Sequence, residues 1–183
     1  MAVKTFTQAE KLTAADTNTY LANSGLVYIK SQTVGSAVSS VQVTSAFSAD
    51  YDAYKIIYTG GSASTSSVLQ MTLGATVTGY YYVLSYSTFG VNTALADTGN
   101  NTTKFLYTGQ TGSGGNAADI TVMNPYLAKN TMVNSYVYAG NGTYAGHMTG
   151  VLSNTTSYTA FTFTPNAGTI TGGTITVYGY RLG

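Results

Sequence analysis

From Leu26 onward the apolar positions recur every second residue, the period of a strand with one buried face. Leu26-Val27-Tyr28-Ile29 opens the first such segment, and Val41 and Val43 alternate with polar neighbours in the next. Further segments of this kind lie at 54–58, 68–73, 80–84, 104–107, 120–123, 132–138, 144–152, 158–164 and 174–181. They are rich in Val, Ile, Thr, Tyr and Phe and are bounded by Gly, Asn and Ser. About eleven short strands at this spacing predict an all-β chain, an antiparallel β-sandwich or jelly roll. Pro125 and Pro165 fall near segment ends, where a missing N–H does least harm. Two polar stretches, 92–103 and 109–118, carry no period and read as long loops, a usual place for ligand contact on a rigid sandwich.

Residues 1–25 follow another pattern. Thr13 with Asp16 three residues later reads as an N-cap with an acid at N3. A helix is predicted over 14–22, stopped by Asn23-Ser24-Gly25. So short a helix is marginal alone in water and needs a surface to dock on. The chain therefore divides into an attachment arm, 1–25, and a β domain, 26–183. Phe6, Leu12, Tyr20 and Leu21 are the arm's candidate anchors.

Composition sharpens this picture. Apolar residues make up 44% of the 183 positions, enough for a core, but charged residues only 7%, against about 25% in an ordinary soluble domain. Thr, Ser, Asn, Gly and tyrosine hydroxyls must cover the surface. With 17 Tyr and 6 Phe the chain is not of the disordered class. The net charge is +1 with no basic run, so there is no electrostatic footprint for nucleic acid. A monomer this weakly charged is poorly protected from self-association, which points to permanent assembly as a homotrimer or similar closed oligomer. The absence of cysteine excludes disulfides and thiolate chemistry. No apolar run approaches the roughly 18 residues of a membrane span, and the opening segment has no signal-like apolar region, so neither membrane insertion nor secretion is expected.

Candidate chemistry is sparse. The one histidine, His147, shares a strand face with Ala145 and Thr149, and a triad around it could draw only on Asp16, Asp50, Asp52, Asp97 or Asp119. Asp50 and Asp52 could act as paired carboxylates for glycoside hydrolysis or calcium, but Phe47-Ser48-Ala49-Asp50-Tyr51-Asp52-Ala53 reads as a turn. Gly109-Gln110-Thr111-Gly112-Ser113-Gly114-Gly115 lacks the Lys-Ser/Thr and the helix of a phosphate loop. No catalytic residue, cofactor or metal ligand is nominated, and the chain reads as a non-enzyme. Tyrosine is the one strong signal. Tyr80-Tyr81-Tyr82 alternates between sheet faces, while Tyr178 and Tyr180 share one. Such rings suit wet interfaces or sugar stacking, and also plain packing between neighbours.

Three segments resemble small structural proteins of tailed bacteriophages. Phe6-Thr7-Gln8-Ala9-Glu10 with Leu12-Thr13-Ala14-Ala15-Asp16-Thr17-Asn18-Thr19-Tyr20-Leu21 resembles their opening arm, although Gln8-Ala9-Glu10 departs from its glycine form. Phe47–Ile56 is similar to a strand entry of such proteins, and the stretch from Gly168 to Arg181 resembles their closing strand. The resemblance implies a β-sandwich that assembles on the virion, often as a trimer. It implies a tail fibre, spike or tail-adaptor subunit, or alternatively a capsid decoration or head-fibre protein that cements the shell. Its expected partners are its own copies, other virion proteins through the arm, and host surface glycan.

Overall fold

The computed structural model describes residues 7, 10, 11, 13–16, 25–139 and 143–180. One short helical turn, α1 (Ala14–Asp16), precedes the β region. The strands are β1 (Leu26–Thr33), β2 (Val41–Val43), β3 (Ala53–Gly60), β4 (Ser62–Ala63), β5 (Ser67–Leu73), β6 (Tyr80–Thr88) and β7 (Ala94–Thr102). They continue as β8 (Phe105–Thr111), β9 (Asn116–Met123), β10 (Thr131–Tyr138), β11 (Tyr144–Leu152), β12 (Phe161–Pro165), β13 (Ile170–Thr171) and β14 (Thr174–Tyr180). Every pairing among them is antiparallel. The fold is the antiparallel all-β sandwich that the alternation implies.

The strands form two unequal layers. The larger runs β1-β14-β3-β9-β10-β11-β6-β7, and the smaller β2-β12-β5-β8. A single bridge between Gln110 and Ala117 joins them. Aromatic rings interlock across the gap between strands that share no ladder. Tyr80 of β6 meets Phe105 of β8 edge to face at 4.9 Å between ring centres, and Tyr58 of β3 stacks on Phe163 of β12 at 6.4 Å. Such edge-to-face and offset geometry places ring edges against ring faces and adds to the burial energy. The core face of the large layer is supplied by alternate residues, among them Tyr54, Ile56 and Tyr58; Ile120 and Val122; Val133 and Val137; Ile175 and Val177.

Both stretches expected to be long loops are strands. The 92–103 stretch contains β7, an edge strand exposed along most of its length. Having only β6 as neighbour and almost no buried face, it needs no apolar alternation. The 109–118 stretch holds the end of β8 and the start of β9, with a turn at 112–115 between them. Apart from Ala118 its buried side chains, Gln110, Thr111 and Asn116, are polar, as is the adjoining Thr108, so they escape a hydrophobic pattern. Thr108 Oγ1 donates to Leu69 O at 2.9 Å, and Asn116 Nδ2 donates to Tyr58 Oη at 2.9 Å and to Ser62 O at 3.0 Å. Two other boundaries differ. β12 begins at Phe161 rather than 158, and the two-residue pair β4–β13 carries too few positions to show a period. Of the helix expected over 14–22, Ala14–Asp16 is helical; the remainder lies outside the described residues.

Candidate interaction face

Among the described residues, no sheet packs on the second face of the large layer. Continuous strand registers place its side chains in three rows that cross the sheet. The first runs Leu26, Tyr180, Ala53, Met123, Met132, Val151 and Tyr81, and contains no charge. The second runs Tyr28, Tyr178, Lys55, Thr121, Asn134, Thr149, Val83 and Thr98. The third runs Ser31, Thr176, Ile57, Asp119, Tyr136, His147, Ser85 and Ala96. Successive rows lie about 7 Å apart, two residues along a strand. Large apolar groups on this face stand in solvent: Met132 is 43% exposed, Val83 48%, Tyr28 58% and Tyr136 64%.

Two depressions mark the face. Between β10, β11, β6 and β7 lies a groove of about 510 Å³, lined chiefly by Tyr81, Val83, Met123, Met132 and Val151. On the opposite, inward side Gly99 of β7 leaves room for Tyr82: a Cβ there would stand 2.2 Å from the Tyr82 ring. The second, of about 390 Å³, lies across β3, β9, β10 and β11 and is polar. Lys55, Asp119, Thr121, Asn134, Tyr136 and His147 line it. Lys55 Nζ and Asp119 Oδ1 form an ion pair between diagonal positions on adjacent strands. These are the two formal charges in the three rows, so the face is electrically neutral. The Tyr136 and His147 rings lie 5.5 Å apart, tilted by 59°.

Sequence expectations map onto this geometry unevenly. Tyr80 and Tyr82 point inward and Tyr81 outward, and Tyr178 and Tyr180 share the open face, as alternation requires. His147 lies outward with Thr149; its Nδ1 is 3.4 Å from Thr149 Oγ1. Asp119 sits two strands away, about 10 Å, with Tyr136 between them. The Asp50 segment is a turn: Ser48 Oγ donates to Asp50 Oδ2 at 2.9 Å, and Asp50 N–H donates to Ser48 Oγ at 3.3 Å. Among the described residues no three His, Asp or Glu side chains gather as a metal site would require. Phe6, Leu12, Tyr20 and Leu21, the candidate anchors, all lie outside the described residues. The convergence of Lys55, Asp119, Asn134 and Tyr136 escapes sequence reading. Alternation puts each on an outward face, but only the register between four strands brings them together.

Several tyrosines are fixed in the interior. Tyr80 Oη accepts from Leu73 N–H at 2.9 Å and donates to Thr76 O at 3.1 Å. Burial pushes its pKa up to about 12. Tyr107 donates to an Asp97 carboxylate oxygen, and burial followed by that carboxylate drives its pKa above the ordinary tyrosine value. No protein-family model matches the chain, and no curated protein matches it.

Proposed function

We propose that this protein is a structural subunit of a tailed-bacteriophage particle, of the tail-fibre, spike or tail-adaptor kind. It assembles with copies of itself through the uncharged first row of the open face of its large sheet. The observation that carries the assembly reading is the uncharged first row with its apolar groove. Burying one large apolar side chain there contributes about 1.5–3 kcal/mol. The first row carries no charged side chain, so no unpaired charge opposes contact with an identical neutral row. A net charge of +1 offers little repulsion between copies. The placement on a phage particle is supported by the three resembling segments. The arm, 1–25, is proposed to hold the subunit to other virion proteins.

A reconstruction of the virion encoded with this chain tests the placement. A handful to a few tens of copies on the tail is the expected result. Hundreds of copies on the shell would transfer the chain to the capsid-decoration class, and a particle lacking the chain would overturn the proposal.

A further inference from the structure

The polar cleft at the middle of the open face differs from the groove beside it in what its side chains still offer. The large buried tyrosines of the core have their polar ends paired: Tyr54, Tyr58 and Tyr80 all have hydrogen-bonded hydroxyls. In the cleft, Asp119 is held by Lys55 through one carboxylate oxygen, and the Asn134 amide, the Thr121 hydroxyl and the Tyr136 hydroxyl make no hydrogen bond within the described residues. The Tyr136 ring, 64% exposed, stands over these groups with the His147 ring at its side.

This combination has a definite chemical complement. A flat exposed ring attracts a surface of aliphatic C–H groups. A carboxylate accepts two hydrogen bonds, an amide both donates and accepts, and an ammonium donates. A ligand that fits all of these carries an apolar face and adjacent hydroxyls around its rim, with no net charge. A pyranose ring does so, and a cleft of about 390 Å³ takes one or two such rings. An anionic ligand would meet Asp119, and a cationic one Lys55. We propose that this cleft is a carbohydrate-binding subsite for neutral pyranosides. Tyr136 stacks on the ring, Asp119 and Asn134 hold adjacent hydroxyls, and Lys55 orients Asp119. Self-contact uses the first row at the rim of the face, and the cleft between the second and third rows, which shares only Asn134 with the groove, stays open. In a closed oligomer each copy then presents one cleft, and several weak sites act together on a polymeric glycan.

Saturation-transfer NMR on the full chain, with the methyl glycosides of glucose, galactose, mannose and N-acetylglucosamine as probes, tests the site. At least one is expected to bind, with transfer strongest at the ring C–H protons of one face. Tyr136→Ala and the isosteric Asp119→Asn should each weaken that binding about tenfold. Met132→Glu, in the groove, should leave sugar binding unchanged while altering self-association, so the two readings fail separately. Tyr136 is exposed, and Asp119→Asn keeps side-chain volume, so both variants should fold. If none of the four glycosides shows transfer, or if transfer survives Tyr136→Ala and Asp119→Asn at full strength, the proposal is overturned.

Discussion

Glycines inside strands fix where rings can lie in this protein. A Cβ at Gly150 would meet the Phe105 ring at 2.7 Å, and one at Gly179 would meet Tyr51 at 2.4 Å. Each glycine lets an aromatic side chain lie flat against the backbone of a strand. Gly150→Ala should therefore cost about 1–3 kcal/mol of stability, as overpacking does, read as a lower denaturant midpoint at unchanged slope. Tyr80→Phe tests the other kind of interior contact. It keeps the ring but leaves the buried Leu73 N–H without its acceptor, a loss of about 1–3 kcal/mol by the same measurement. Tyrosine ionisation sets the alkaline limit. Unfolded tyrosines release their protons near pH 10, whereas Tyr80 holds its proton to about 12, and Tyr54, Tyr58, Tyr82, Tyr107 and Tyr144 are shifted the same way by burial. The unfolded state thus loses protons first, and stability present below pH 10 falls as pH rises towards 12. Tyrosinate absorbance and loss of the β signal in circular dichroism should rise together over that window.

At the level of elements, strands with one buried face were legible and strands without one were not. β3, β9, β10 and β14 alternate strictly between buried and outward positions, and the sequence carries that alternation plainly. β7 has one buried residue, Gly99, which has no side chain to signal it. The facing ends of β8 and β9 bury Gln110, Thr111 and Asn116, which pattern reading assigns to a surface loop. The open face was legible only in part. Outward Tyr positions follow from alternation, but the neighbours that make a groove or a cleft depend on register across non-consecutive strands. β1 begins at Leu26, and its ladder with β14 starts at that residue. A chain truncated to begin at Leu26 retains every strand of the described residues and should keep its circular dichroism spectrum and melt cooperatively. The proposed anchoring role of 1–25 predicts that this truncated chain no longer joins the particle.

For the whole molecule, the sparse charge and the open sheet face have one common explanation. A protein with 7% charged residues and a solvent-facing row of Met, Val and Tyr is suited to a surface that is covered in its working state. Edge strands β1 and β7 bound that face, and its first row carries no charged side chain. An identical copy, a neighbour of the same neutrality, satisfies these conditions without any further component. Light scattering coupled to size exclusion, on the full chain and on Met132→Glu, tests this most directly. A closed oligomer for the native chain, a trimer by the resemblance, and a folded monomer for Met132→Glu is the predicted result. A native chain that stays monomeric at high concentration, or an oligomer that Met132→Glu leaves intact, would contradict it.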